Sequence, residues 1–174
     1  QFTIIAFDFL VRDVVAMGRI PHMRRFKKMT QRDLEAVDRS LELTNITSLA
    51  ERPVNELSAG ERQRVIIAKA LAQEPRILIL DEPTSHLDIG HQIDIFDLIK
   101  GLSKNRALTV LAVLHDLNLA SEYCDKLILM DRGRVYSQGA PQEVLNYKSI
   151  EEVYKTVVVV EKSPISKKPY VFLS

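Results

Sequence analysis

The chain has 174 residues, 46% of them hydrophobic and 27% charged, a balance that supports one globular domain or two small ones and argues against disorder. Its formal net charge of +1 produces no broad field that would draw it onto nucleic acid or anionic lipid. Cys124 is the only cysteine, which excludes an internal disulfide and a cysteine-based zinc site within one chain, and fits a reducing, cytosolic compartment.

The opening Gln1-Phe2-Thr3 shows no initiator methionine, basic leader or small-residue cleavage site, and reads as the middle of a protein. From Val11 to Gly18 and from Thr30 to Leu43 apolar residues recur at helical spacing, with Leu34, Val37 and Leu41 on one face and charges opposite. The basic stretch Arg24-Arg25-Phe26-Lys27-Lys28 between them fits a solvated loop better than a partner contact. Ser58-Ala59-Gly60-Glu61 leads into a run from Arg62 to Gln73 without helix breakers, stopped by Pro75. Ile77-Leu78-Ile79-Leu80 is continuously apolar, as in a strand buried on both faces of a parallel sheet. Helical spacing returns from Gln92 to Leu102, and Leu108 to Leu114 is again a β-branched apolar run.

That alternation predicts an α/β layer with right-handed crossovers. A helix follows near Asp116 to Tyr123, then a strand from Lys126 to Met130. Asp131-Arg132-Gly133-Arg134 reads as a tight turn into a strand from Val135 to Gln138, so the sheet is expected to gain antiparallel strands there. Pro141 opens a short helix, and Val157 to Leu173 reads as strand, polar loop, strand. The longest apolar runs, Ala107 to Leu114 and Val157 to Val160, fall far short of the roughly 20 residues a membrane-spanning helix needs.

Three local features carry chemistry. The run Ile77 to Leu80 delivers two adjacent carboxylates, Asp81 and Glu82, to the C-terminal end of a strand, the edge at which open α/β sheets bind ligands. A strand-end aspartate can hold a magnesium ion that bridges nucleotide phosphates, and the neighbouring glutamate can accept a proton from water. The same residues also fit a polar turn after a strand. Ser58, Ala59 and Gly60 stand at a helix start, where free N–H groups and the helix dipole favour a phosphate oxygen. Ser58 and Glu61 equally have the spacing of a capping box, which starts many helices that bind nothing. His115 directly follows the second apolar strand and, if the strands are parallel, shares the edge of Asp81. A histidine there can meet a γ-phosphate or position water, although lone histidines are more often structural. Cys124 fits a small buried hydrophobe better than a reactive thiol.

Taken in order, LSAGERQRV, ILILDEPTSHLD and the strand ending in His115 resemble an ATP-binding cassette (ABC) ATPase over nearly the whole chain. In that likeness Leu57 to Glu61 resembles the signature motif, Ile77 to Asp81 the Walker B strand and Glu82 the catalytic glutamate. Ser85-His86-Leu87-Asp88 resembles the D-loop, His115 the switch histidine and Gln1 the Q-loop glutamine. Ala59 stands where the commonest signature has a further glycine and Glu61 where it often has glutamine, departures the family tolerates.

The resemblance implies ATP and Mg2+ as cofactors, with Asp81 and Gln1 toward the metal, Glu82 and His115 in catalysis, and Ser58, Ala59, Gly60, Glu61, Asp88 and Gln1 around nucleotide. It implies a P-loop NTPase (RecA-like) core with a mostly parallel sheet plus a helical subdomain. The divisions expected are 1–56 for the Q-loop and helical subdomain, 57–148 for the signature helix and core, and 149–174 for a C-terminal helix and strand tail. Expected partners are transmembrane permease subunits and a second ATPase subunit at the cytoplasmic face of the membrane, with a substrate-binding protein reached indirectly and no nucleic acid. Val11 to His22 and the tail from Val157 to Leu173 look most like importers of iron-siderophore, haem, cobalamin or related metal chelates. No Gly-x-x-x-x-Gly-Lys-Ser/Thr occurs in these residues, so the isolated chain is expected to be inactive. The alternatives are a non-transport member of the superfamily, acting in DNA repair or translation, and an inert interaction fragment.

Overall fold

The computed structural model describes residues 9–23, 28–106 and 108–173. They form two compact units that divide between Val113 and Leu114. Gln1, Phe7 and Asp8, and Arg24 to Lys27 of the basic stretch, lie outside the described residues.

The first unit runs through α1 (Val11–Ala16), a 3-10 turn (Met17–His22), α2 (Gln31–Leu43), α3 (Ala59–Leu71), β1 (Ile77–Asp81), α4 (Ile89–Arg106) and β2 (Thr109–Val113). Its start is pinned by backbone pairing: the Val11 and Arg12 N–H groups donate to the Arg52 and Ala50 carbonyls, both at 2.9 Å. Helix α2 begins where Thr30 forms a capping box with Asp33, satisfying donors that the first turn leaves without partners.

The buried face of α2 differs from the one the apolar spacing predicts. Val37 and Leu41 are inside with Ala36, Ser40 and Asp33, but Leu34 is 41% exposed. The reason is a buried ion pair. Arg19 Nε donates to Asp33 Oδ1 at 2.9 Å, and Arg19 Nη1 donates to the Ala72 carbonyl at 2.6 Å and to Glu74 at 3.0 Å. Holding Asp33 against Arg19 turns Leu34 toward solvent. Ser40 and Thr44 enter the core because each hydroxyl donates to a carbonyl one turn earlier, Ala36 and Ser40 respectively.

Helix α3 is the wall between two cores. Val65, Ala68 and Ala72 join Val11, Val15, Val37 and Leu41, while Ile67 and Leu71 join Leu78, Leu80, Ile95, Ile99 and Leu108. Each fully buried aliphatic side chain contributes roughly 1.5–3 kcal/mol, so α3 is fixed from both sides. Close approach at one end depends on Gly18, where a Cβ would lie 2.2 Å from the Lys69 carbonyl oxygen.

Strands β1 and β2 pair in parallel, with Ile77 opposite Thr109 and Asp81 opposite Val113, joined through α4. Within this chain β1 is covered on one face, where two covered faces were expected. Leu78 and Leu80 face the helices, whereas Ile77 and Ile79 are 59% and 70% exposed and Leu111 and Val113 are about half exposed. Side chains alternate along a strand, and α3 and α4 cover the face that carries Leu78 and Leu80.

The second unit contains α5 (Leu117–Tyr123), β3 (Leu127–Asp131), β4 (Arg134–Gly139), α6 (Pro141–Val144), α7 (Tyr147–Tyr154), β5 (Val158–Lys162) and β6 (Pro169–Leu173). Arg132 and Gly133 both take positive φ, 48° and 75°, as a two-residue hairpin turn requires. That hairpin does not extend the β1–β2 sheet as expected: among the described residues the strands form three two-stranded sheets, β1–β2, β3–β4 and β5–β6. Leu145, Ile150, Val158 and Val171 make the core of this unit. Asn118 binds β6 as a neighbouring strand would, accepting from the Val171 N–H at 2.7 Å and donating to its carbonyl at 3.1 Å. Cys124 is partly buried and burial, with Asp125 nearby, pushes its thiol pKa up, as expected of an inert cysteine.

Candidate nucleotide site

Ser58 caps α3. Its hydroxyl accepts from the Glu61 N–H at 3.2 Å, and Glu61 Oε2 accepts from the Ser58 N–H at 2.8 Å. The capping box is therefore present, and the Ser58 N–H first, then its hydroxyl, hold the Glu61 carboxyl below its ordinary range. A capping role leaves the tip available: Ser58 is exposed, Ala59 half-buried and Gly60 buried.

Asp81 ends β1 and Glu82 follows, both exposed. Glu82 has φ of 45°, a left-handed conformation that breaks the strand's alternation, and its N–H donates to the Val113 carbonyl at 3.2 Å. Parallel pairing thus brings the carboxyl end of β1 beside the carboxyl end of β2. The loop then turns back on itself: the Ser85 N–H and hydroxyl both donate to the Glu82 carbonyl, at 3.1 and 3.0 Å, and His86 also takes positive φ.

Asp88 closes this loop and starts α4. Its carboxylate accepts from the His91 N–H at 2.9 Å, and both its oxygens lie 2.8 Å from His91 Nδ1. The His91 N–H first, then its ring, depress the Asp88 pKa. His91 is absent from the sequence reading. The available signal was the Asp88-x-x-His91 spacing, which suits a cap at a helix start. His115 occupies an exposed bend in the second unit, followed by Asp116, whose Oδ1 accepts from the Asn118 and Leu119 N–H groups at 2.8 and 2.9 Å to cap α5. Ser58 to Glu61, Asp81, Glu82 and Asp88 all belong to the first unit, and Gln1 lies outside the described residues.

Among the described residues no group of three or more His, Cys, Asp or Glu side chains forms a metal cage. Magnesium asks for less, binding through one or two carboxylates while water and substrate phosphates complete its octahedron. An exposed aspartate at a strand end suits that donor set.

The ABC transporter family model matches residues 8–85. The ferric enterobactin transport ATP-binding protein FepC of Escherichia coli is 43% identical over 164 residues, covering 94% of this chain and 60% of that protein. The cobalamin import ATP-binding protein BtuD of Halobacterium salinarum is 44% identical over 160 residues, covering 92% of this chain and 40% of that protein. The chain therefore spans between 40% and 60% of the length of these relatives. Among solved structures, an ABC transporter in an inward-facing conformation, assigned to the metal-chelate type, superposes with a TM-score of 0.92 at 27% identity, covering 100% of this chain and 71% of that one. The likeness extends over the whole of this chain to that fold, a P-loop NTPase cassette, and the chain belongs to the ABC transporter family.

Proposed function

We propose that this chain is part of the ATP-hydrolysing subunit of a membrane importer for a metal chelate such as an iron-siderophore, haem or cobalamin. The observation that carries the reading is the carboxyl end of β1, where Asp81 and Glu82 are exposed beside the end of β2 in the same unit as the serine-capped tip of α3. Asp81, with Gln1, would hold Mg2+, which supplies charge neutralisation of the terminal phosphates when bound. Glu82 takes the proton of the attacking water as the new oxygen–phosphorus bond forms and the bond to the ADP oxygen breaks, so the products are ADP and phosphate. His115 hydrogen-bonds the γ-phosphate.

Ser58 and the Ala59 and Gly60 amides, with Glu61 and Asp88 beside them, face the nucleotide of a second ATPase subunit. The free N–H groups at the tip of α3 suit an anionic oxygen, and the small side chains let it approach. ATP favours the closed pair over the open one, and closure acts on permease subunits at the cytoplasmic face of the membrane, with a substrate-binding protein reached through them. Support for the chelate class comes from the names of FepC and BtuD.

The test is ATP turnover by the full-length subunit assembled with its permease. Glu82→Gln should reduce kcat by about 100-fold or more while ATP binding persists. Turnover within about threefold of the unsubstituted complex would remove Glu82 from the chemistry.

A further inference from the structure

Gly60, in the first turn of α3, is buried for a specific reason. A Cβ placed on it would lie 2.6 Å from His91 Cδ2 and 3.2 Å from His91 Cγ, so the imidazole occupies the space a side chain would need. The ring is held from its opposite edge by Asp88. An ionised carboxylate only accepts hydrogen bonds, so the 2.8 Å approaches to both Asp88 oxygens assign the proton to Nδ1, which donates. The His91 N–H binds the same carboxylate. Backbone and ring are thus fixed by one acidic group.

Burial does not account for this arrangement. The His91 and Asp88 side chains are 51% and 69% exposed, and an ion pair in that setting contributes little to stability. Below the tip, α3 and α4 are already joined by Ile67, Leu71, Ile95 and Ile99, and Arg64 reaches Asp94 at 3.9 Å. What the His91 ring adds is a contact between the very start of α3 and the end of the loop that begins at Glu82.

We propose that His91 is a positioning residue that locks the Ser58–Glu61 tip to the Glu82–Asp88 loop, by packing its Cδ2 edge on Gly60 while Asp88 holds Nδ1. The proposal rests on the nucleotide reading above. In that reading the tip and Asp88 meet the partner's nucleotide, while Glu82, at the other end of the loop, acts on the subunit's own. His91 makes the two shift as one body, so that occupancy of one site is felt at the other. Gly60 then serves twice, for phosphate approach and for the ring.

The experiment uses the full-length subunit in its assembled transporter. Asparagine is the informative conservative change, since its amide nitrogen takes the place of Nδ1 and its oxygen that of Cδ2. His91→Ala should lower kcat about tenfold with KM for ATP changed less than about twofold, and His91→Asn should recover at least about half of the lost activity. Independently of turnover, Gly60→Ala should lower Tm by several degrees when His91 is present and by little in a His91→Ala background, because the methyl then has room.

If His91→Ala keeps full kcat while Glu82→Gln abolishes it, the positioning role fails and the nucleotide reading stands. If Glu82→Gln keeps full kcat, the nucleotide reading fails and takes the role of His91 with it. An equal Tm loss from Gly60→Ala in both backgrounds would also overturn the proposed contact. Should Gly60→Ala not fold, the two His91 variants decide the matter by themselves.

Discussion

Two acidic side chains of the first unit, Asp33 and Asp88, both stabilise the start of a helix and both hold a basic partner, yet they sit in opposite surroundings. Asp33 and Arg19 are 8% and 3% exposed, and Arg19 spends its remaining donors on the Ala72 carbonyl and Glu74. Asp88 and His91 stand largely in water. The first pair ties the 3-10 turn and α2 to the end of α3, and losing one member leaves a charge stranded in the core. The second is screened by solvent, so its value lies in where it sets a ring. Similar local chemistry thus serves architecture in one place and geometry at a surface in the other, and burial decides between them.

The sharpest way to break this comparison is at Arg19. Arg19→Ala should lower Tm by roughly 10 °C, because it strands the Asp33 carboxylate and leaves the Ala72 carbonyl without its donor. Arg19→Lys should recover only part of this, since an ammonium cannot reproduce the forked contacts. Thermal melts decide it, and a shift as small as that of a surface pair would mean the network is not structural.

A smaller effect is expected from acid. The Thr30 hydroxyl, then its N–H, then Arg19 lower the Asp33 pKa from 3.8 to about 2 in the folded chain. A folded value below the unfolded one stabilises above about pH 3.8, and the contribution is lost as pH falls from there toward about 2. Denaturation curves across that window should fall less steeply for Asp33→Asn than for the unsubstituted chain. Identical slopes would show that Asp33 is not the titrating group.

The smallest effect belongs to the exposed pair. His91→Ala should move Tm by less than about 2 °C in low salt, and by less still at high ionic strength. A loss comparable to that at Arg19 would place His91 in the architecture and erase the contrast.

Features settled within three or four residues were readable in advance. The starts of α2, α3 and α5 at Thr30, Ser58 and Asp116 are side-chain caps, and the β3–β4 turn at Arg132-Gly133 needs only permissive backbone. The capped tip, the strand-end carboxylates and the histidine after β2 were likewise legible in that order, because each motif is contiguous. Leu34 misled because helical spacing counts apolar residues, and Asp33 is charged yet buried. His91 was missed because its meaning comes from Gly60, which is distant in sequence.

The sequence by itself therefore determined which segments are helix or strand and where the side-chain-capped helices α2, α3 and α5 start, since these follow from hydrogen bonds and sterics between near neighbours, although α4 begins at Ile89 rather than at Gln92. Only the tertiary structure decided which faces are inside: Asp33 rather than Leu34, Leu78 and Leu80 rather than Ile77 and Ile79. Burial depends on what packs against an element, and an ion pair such as Arg19–Asp33 or a ring such as His91 becomes defined only when distant segments meet.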